Sequence, residues 1–359
     1  MSSIVVAGDV SGSVTIAAPS AAGSTTLTLP STSGTFVTDS ATQTLTNKTL
    51  TSPTITGTPT FNGVNVSPYT MKNRIINGAF NVWQRGTSLS ASGSGYYHTD
   101  RWQNFGQTYT ASRSTDVPTG LAQYSLNISG GAGSYGTICQ RIEAANCADL
   151  VGQSVTVSVY VKAVSGGTNG LTCVLDYATA TDNFASQTNI GSATLASTVS
   201  GSWTKYTTTF SSLPSGAANG LQLMFYNSSV AANQYRYALV QLEVGSSATQ
   251  FEWRPYGTEL DLCKRYYQTY SDYDGVGVGK DTTAAFFSYP LRPSMRTVPT
   301  ATFTCTNVDR FGTAYVATSA AAVLDARENQ ATTYANAVMS GRGEPCGPAG
   351  SLLTVKAEL

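Results

Sequence analysis

A strictly alternating segment from Gln153 to Lys162 is the feature that most constrains the fold of this chain. Its valines occupy every second position and are separated by polar residues, at Val155, Val157, Val159 and Val161. Successive side chains of a β-strand point to opposite faces, so the valines share one face. The segment therefore predicts a strand with one buried and one solvated face, which is typical of an antiparallel sheet.

Other short apolar runs follow at regular intervals. Loops rich in Gly, Ser, Asn and Pro separate them, and no helical period lies between them. Many short strands joined in this way are typical of a β-sandwich or jelly roll, which we place at residues 73–257. The predicted strands, besides 153–162, are 136–143, 171–177, 203–210, 221–226 and 235–243.

The sandwich is predicted to open with a strand from Ile75 to Gly86. That strand would place Phe80 and Trp83 in the core, opposite the closing residues Val240, Leu242 and Trp253. A tryptophan beside apolar alternation belongs more often to a core than to a binding site. We therefore predict core positions for the four tryptophans of the chain, which are Trp83, Trp102, Trp203 and Trp253.

Residues 1–72 have a different composition. The first 70 residues hold 28 Ser or Thr and only three charged residues. A thin row of aliphatic residues, Leu45, Leu50 and Ile55, cannot form a core within one chain. The segment predicts an extended β stem that needs other chains, or a docking segment; a flexible linker is the alternative.

Residues 258–359 form the third predicted domain. Leu260, Cys263, Tyr267 and Tyr270 are spaced for one face of a short connecting helix over 258–270. Beyond the helix, apolar runs predict a smaller C-terminal β domain with strands at 283–290, 300–307, 313–318 and 351–357. The whole chain is thus expected to be all-β, with an extended N-terminal stem, a central jelly-roll sandwich and a second β domain.

The charge of the chain limits its partners. Charged residues make up 11% of the sequence and the formal net charge is zero, so we expect neither nucleic acid nor membrane as a partner. No targeting signal is evident, and synthesis in a cytoplasm is expected. The six cysteines contain no CxxC pair and the chain has one histidine, so we predict no metal site and mostly small buried thiols.

Four sequence segments resemble those of a known class of proteins. ATQTLTNKTLTSPTITG at 41–57 is similar to a repeat of bacteriophage tail fibres and related virion proteins. NGAFNVWQRG at 77–86 with YYHTDRW at 96–102 resembles the entry to a jelly-roll domain, similar to carbohydrate-binding modules, that many such proteins carry. The stretch 237–270 resembles the end of that domain.

The resemblance implies a virion protein of a phage tail, made in the host cytoplasm. It implies a homotrimer that attaches to other tail proteins through residues 1–72 and contacts a host cell-surface glycan for receptor binding. Two alternatives stay open. One is a purely structural tail adaptor or assembly component, and the other is a polysaccharide-degrading tailspike.

Catalysis finds little support in the sequence. His98 is the sole imidazole and no nucleophile elbow accompanies it. The Gly-rich run at 275–280 lacks two residues of a phosphate-binding loop, because Asp274 and Asp281 replace them. Glycosidases need two facing carboxylates, and no pair can be assigned among Asp100, Glu143, Asp176, Asp182, Glu243 and Glu252. We expect no enzyme activity, no catalytic residue and no cofactor.

Sugar binding requires less than catalysis. An aromatic ring can pack on the C–H face of a pyranose while amides and carboxylates bind the hydroxyl groups. Tyr96, Tyr97 and Asp100 have that chemistry within one loop, and Tyr226 and Asn227 have it at the end of a predicted strand. These five residues are the predicted glycan-binding candidates.

Overall fold

A computed structural model describes most of the chain beyond residue 70. Its residues form two compact units, Met1–Gly57 and Thr58–Leu359. In the first unit β1 (Ser3–Ala7) pairs with β2 (Ser13–Ala17), and in the second β3 (Thr60–Phe61) pairs with β4 (Val64–Asn65). The described residues are 3–7, 10–17, 60–61, 64–65, 71–91, 98–104, 109–130, 136–165, 170–227, 234–310, 314–337, 339 and 345–359.

The predicted stem cannot be compared with the structure over most of its length. The aliphatic row of Leu45, Leu50 and Ile55 lies outside the described residues. The stem therefore stays a prediction.

Two antiparallel sheets form the central jelly-roll sandwich, as predicted. We name the six-stranded sheet, in spatial order β13-β10-β15-β8-β7-β5, sheet A, and the five-stranded sheet β12-β11-β14-β9-β6 sheet B. The strands of sheet A are β5 (Ser88–Ala91), β7 (Tyr109–Ser114), β8 (Ser125–Gly130), β10 (Val155–Ser165), β13 (Thr204–Phe210) and β15 (Gln234–Val244). The strands of sheet B are β6 (Gln103–Asn104), β9 (Gly136–Ile142), β11 (Leu171–Ala180), β12 (Asn183–Ala196) and β14 (Leu221–Asn227).

Alternating residues of both sheets fill the space between them. The four valines of β10 are buried and belong to one continuous core. They face Leu171, Leu175, Leu223 and Phe225, which alternate on β11 and β14. This core fixes the register of the strands, because a slip of one residue would move each set to solvent. The polar residues between the core positions therefore lie on the outer faces of the sheets.

The opening segment Ile75–Gly86 is not a strand, which corrects the prediction. Asn77 and Phe80 adopt positive φ angles of 56° and 55°, which a strand does not allow. The segment runs beside β15 where β8 has ended: Arg74 N donates to Leu242 O at 2.8 Å, and Val240 N donates to Gly78 O at 2.9 Å. Phe80 still reaches the core as predicted, although its backbone is irregular.

The C-terminal region forms a second β structure with a separate core. An eight-stranded antiparallel sheet has the order β20-β19-β23-β17-β18-β22-β21, with β16 also paired to β23. Phe287, Tyr289, Phe303, Leu353 and Val355 contribute to its core. Its strands are β16 (Tyr267–Tyr270), β17 (Val276–Gly279), β18 (Ala284–Pro290), β19 (Thr300–Arg310), β20 (Ala314–Ala317), β21 (Ala320–Arg327), β22 (Gln330–Asn336) and β23 (Pro345–Lys356).

The connecting helix exists but is shorter than predicted. α1 spans Tyr256–Lys264 and ends before the last two residues of the predicted face. Tyr267 and Tyr270 instead belong to β16, where they pair with Lys356 and Leu353 of β23. Ladder pairing along β23 therefore replaces the last turn of the predicted helix.

All six cysteines are buried. Burial raises the pKa of the Cys139 and Cys147 thiols to about 12. Uncharged thiols in such positions behave as small apolar side chains. The prediction of buried thiols is confirmed.

Candidate functional site

A small cavity on the outer face of sheet A brings aromatic and polar side chains together. It has a volume of about 70 Å³, and β10 and β13 contribute three of its residues: Ser158, Tyr160 and Lys205. Ser158 and Tyr160 alternate with the core valines of β10, and Lys205 lies directly opposite Tyr160 on β13. The same alternation that builds the core thus points these polar and aromatic groups outward. We call this space the aromatic cavity; its remaining lining residues are Leu121, Leu239, Gln250, Phe251 and Trp253.

The segment after β15 forms one wall of the aromatic cavity. Buried side chains of β15 hold this segment: Thr249 N donates to Glu243 Oε1 at 2.8 Å, and Glu252 N donates to Gln241 Oε1 at 2.8 Å. Gln241 Nε2 in turn donates to Gln250 O at 3.3 Å. These bonds fix the backbone that carries the aromatic wall, so the wall is preorganised.

Trp253 is half exposed at the mouth of this cavity, which corrects its predicted core position. Its side chain is 49% exposed, and its ring meets Phe251 edge to face at a centroid distance of 5.2 Å. β15 ends at Val244, and the chain then crosses back over the outer face of sheet A. Trp253 therefore reaches the outer face, whereas Trp102 is fully buried as predicted.

The other two tryptophans are partly buried. Trp83 packs against the main core, and Trp203 packs against a small outer cluster with Tyr160 and Phe251. Trp203 Nε1 donates to Asp116 Oδ1 at 2.9 Å, which fixes the indole on the outer face. Trp203 thus packs against this small cluster and does not belong to the main core.

One lysine lines the aromatic cavity, and a second lysine and a carboxylate bond to the segment that forms its wall. Lys72 Nζ lies 3.8 Å from Glu243 Oε2, and Lys205 Nζ donates to the backbone oxygen of Thr249 at 3.0 Å. The Lys205 side chain is exposed as a whole, yet desolvation lowers its pKa. Nearby Lys72 lowers this pKa further, while Glu243 raises it.

Asp100 is a buried structural residue and not part of an open glycan site. Its carboxylate accepts hydrogen bonds from Gln84 N and Gln84 Nε2, both at 2.7 Å, and lies 3.8 Å from Arg85. Burial raises its pKa, and Arg85 opposes that shift. Tyr96 and Tyr97 lie outside the described residues, so their predicted role stays a prediction.

Tyr226 and Asn227 are neighbours on β14 with opposite surroundings. Asn227 is buried, accepts a hydrogen bond from Tyr237 Oη and donates to Gly170 O at 3.4 Å. The structure therefore gives Asn227 a role in packing. Tyr226 is half-buried and lies on the outer face of sheet B.

A polar row crosses that outer face of sheet B near Tyr226. Arg141 Nε donates to Gln222 Oε1 at 2.9 Å, and Asn189 Nδ2 donates to Asp176 Oδ1 at 2.8 Å. Gln222 and Asp176 are register partners on β14 and β11, so the row is continuous over four strands. Burial raises the pKa of Asp176, although Asn189 and Gln222 bonds oppose this shift. The row is bonded internally, whereas the aromatic cavity is open to solvent at Trp253.

Sequence reasoning missed the aromatic cavity. Its ring-bearing residues lie on β10 and on the segment after β15, about 90 residues apart in the chain. The outward position of Tyr160 could have been read from the valine alternation, which predicts that 160 faces away from the core. No comparable signal gave the direction of Trp253.

Two other features are absent from the described residues. No group of three or more His, Cys, Asp or Glu side chains in this part of the chain is arranged to hold a metal ion. Within the same described ranges, no helix has the length and hydropathy to span a bilayer.

Comparisons with known proteins give similarity at the level of solved structures alone. No protein-family profile and no curated protein sequence matches the chain. The enzymatically active domain of tailspike protein 4 from bacteriophage CBA120 matches with 16% identity and a TM-score of 0.33, over 50% of this chain and 22% of that one. The CBM22-1 xylan-binding domain of Paenibacillus barcinonensis Xyn10C matches with 15% identity and a TM-score of 0.30, over 48% and 94%.

TmCBM61 in complex with β-1,4-galactotriose matches with 12% identity and a TM-score of 0.30, over 48% of this chain and 99% of that one. The matches thus cover about half of this chain. At these TM-scores the likenesses carry no argument about its function.

Proposed function

We propose that this chain is a non-catalytic glycan-binding protein of a bacteriophage tail, and that the aromatic cavity on sheet A contacts the sugar. The observation that carries the glycan part is the half-exposed Trp253 beside Phe251, on a wall held by Gln241 and Glu243. An indole face presented to solvent, next to amide, hydroxyl and amine groups, suits a pyranose with one apolar face and several hydroxyls.

The place in the phage tail is supported by the sequence resemblance at 41–57 and 77–102. In this proposal residues 1–72 attach the chain to other tail proteins, the chain assembles as a homotrimer, and the sandwich contacts the host-surface glycan. The absence of catalysis is part of the proposal. Its support is that Glu143, Asp100 and Glu243 each accept hydrogen bonds from neighbouring protein groups, which commits these carboxylates to the fold.

A glycan array probed with the purified full-length chain tests the proposal. The wild type should bind a restricted set of glycans, and Trp253→Ala should lose that binding. Tyr256→Ala is the matched control, because Tyr256 is 59% exposed and does not line the cavity. Equal binding by wild type and Trp253→Ala would exclude the aromatic cavity as the site.

A structural tail adaptor remains the second candidate function. It would require neither an open aromatic cavity nor glycan affinity. If the full-length chain binds no glycan while deletion of residues 1–72 prevents its incorporation into particles, the adaptor function is favoured. Release of reducing sugars from host polysaccharide by the purified chain would instead support the tailspike alternative.

A further inference from the structure

The charges around the aromatic cavity do not balance. Glu243 is buried and its carboxylate is already occupied: it accepts from Thr249 N at 2.8 Å, from Thr249 Oγ1 at 2.5 Å and from Gln241 Nε2 at 2.7 Å. Its charge is compensated by Lys72, 3.8 Å away. Glu243 therefore forms a direct ion pair with Lys72, and a second lysine, Lys205, lies nearby.

That second lysine, Lys205, forms no direct ion pair with Glu243, which acts on its amine only at longer range. In the part of the chain that the structure describes, its amine forms no ion pair within 4.0 Å, and its hydrogen bond goes to the uncharged backbone oxygen of Thr249. A lysine amine carries three donor hydrogens, so donors remain for a ligand. Lys205 lines the aromatic cavity together with Trp253 and Gln250, so a bound group can reach its amine.

We propose that the aromatic cavity selects sugars that carry a carboxylate, such as uronic acids, with the sugar ring against Trp253 and the carboxylate paired with Lys205. This inference rests on the proposed glycan-binding function and narrows its ligand class. A ligand carboxylate supplies a direct counter-charge and forms a charge-assisted hydrogen bond, which is stronger than one between neutral groups. A neutral sugar would leave the Lys205 amine without a direct ion pair.

The size of the cavity sets how such a sugar enters. A space of about 70 Å³ does not enclose a pyranose, so only one edge of the ring is inserted. The remaining edge lies toward Trp253, whose indole is half exposed. The exposed Gln250 side chain at the rim provides an amide for sugar hydroxyls. The geometry therefore suits an acidic sugar in a longer glycan, with its neighbours in solvent.

Binding to a matched pair of glycans tests the inference. The first probe is the acidic glycan that the full-length chain binds most tightly on an array of acidic and neutral glycans. The second probe is the same glycan with its carboxyl group reduced to a hydroxymethyl group. Calorimetry should show an affinity about tenfold or more higher for the acidic form, as expected for a charge-assisted hydrogen bond.

Two variants identify the groups responsible. Lys205→Gln should remove the preference for the acidic form and leave the affinity for the reduced form nearly unchanged, whereas Trp253→Ala should weaken both. Lys280→Gln is the matched control, since Lys280 is an exposed lysine of the C-terminal sheet. Raising the salt concentration should lower the affinity for the acidic glycan only, because salt screens the ion pair.

The possible failures are distinguishable. Equal affinity for the two forms, with both weakened by Trp253→Ala, overturns the acidic preference and leaves the glycan-binding function in place. A preference that survives Lys205→Gln overturns the assignment of Lys205. An array that shows only neutral ligands overturns the acidic preference, and one that shows no ligand overturns both proposals.

Discussion

Arg101 of the sandwich forms an ion pair with Glu358 near the end of the C-terminal sheet, with Nη1 and Oε2 2.5 Å apart. Arg101 is almost completely buried and its guanidinium lies 3.4 Å from the centroid of the Tyr266 ring. Arg85 approaches the other oxygen of Glu358, also at 2.5 Å. One carboxylate thus links two arginines of the sandwich to the C-terminal sheet.

The Arg101–Glu358 pair predicts a large effect of a small substitution. Glu358→Gln leaves two poorly hydrated guanidinium groups without their shared anion, so the free energy of unfolding should fall by about 3 kcal/mol. Chemical denaturation measures the loss. The control is Asp325→Asn, which removes the exposed ion pair with Arg327 and should cost less than about 1 kcal/mol. Equal effects of the two substitutions would contradict this account.

Gly78 predicts a second strong effect. A Cβ atom added at this residue would lie 2.1 Å from Val240 O. Val240 is held close by its backbone N–H, which donates a hydrogen bond to Gly78 O. Gly78→Ala should therefore force the opening segment away from β15 and lower the free energy of unfolding by roughly 3 kcal/mol, within the range of severe packing changes.

Gly257→Ala is the control for Gly78. Gly257 lies in α1, and an added Cβ would meet nothing within 4 Å. Alanine is favoured over glycine in a helix, so this variant should be neutral or stabilised by up to about 1 kcal/mol. A stability loss at Gly257 similar to that at Gly78 would show that crowding against Val240 is not the cause.

His98 predicts a loss of stability in acid. The residue is fully buried, its Nε2 lies 3.0 Å from Tyr109 Oη, and desolvation followed by the charge of Arg85 lowers its pKa from 6.5 to about 3. Between these values the unfolded chain binds a proton that the folded chain does not bind. Stability should therefore decrease as the pH falls through this window, by up to about 5 kcal/mol from this group.

Denaturation curves at pH 7 and pH 4 check this prediction. His98→Gln cannot take up the proton. Its free energy of unfolding should therefore fall less between pH 7 and pH 4 than that of the wild type, and the two decreases should differ by most of the loss expected from His98. Each protein serves as its own reference, and a lower overall stability of the variant does not affect the comparison. The same pH response in both proteins would refute the assignment to His98.

Trp253 predicts a fluorescence signal for ligand binding. It is half exposed, while Trp102 is buried and the other two indoles pack against cores. A glycan that covers Trp253 should protect the protein from acrylamide quenching. The fluorescence of Trp253→Phe should be quenched less by acrylamide before ligand is added, and the ligand should give this variant no protection. Protection that persists in this variant would place the ligand elsewhere.

The cysteines predict a simple chemical result. All six are buried, and thiolates are the reactive form. The folded chain should react with close to no equivalents of a thiol reagent at neutral pH, and the chain in denaturant should react with six. Fast labelling of the native protein would contradict the buried positions.

The strands were predicted best where packing against one core determines the pattern. β10 and β14 carry alternating apolar residues that face the main core, and their predicted spans match closely. β12 was missed because it lies at the edge of sheet B and is mostly exposed and polar. The opening segment was misassigned because the Asn77 side chain forms hydrogen bonds with the backbone N–H and C=O of Val82. These bonds take the place of strand pairing, and sequence spacing does not reveal them.

The candidate site was harder to predict than the fold. Aromatic residues have the same composition in a core and in a binding surface, and the path of the chain decides between them. Trp253 lies at the surface because the segment after β15 turns back across sheet A. Asp100 is buried, and its carboxylate accepts a hydrogen bond from Gln84 N. Both outcomes depend on contacts between distant parts of the chain.

The pairing of Gly78 with Val240 also has a consequence for how the protein is made. The two residues are 162 positions apart, so the opening segment finds its backbone partners only after β15 has been synthesised. At translation rates of about 5–20 residues per second, that delay is roughly 10 to 30 s. From their own synthesis until the end of that delay, the apolar residues of β10 and β11 have no closed sandwich to enter. Late closure of this kind exposes the nascent chain to aggregation and makes early chaperone contact valuable.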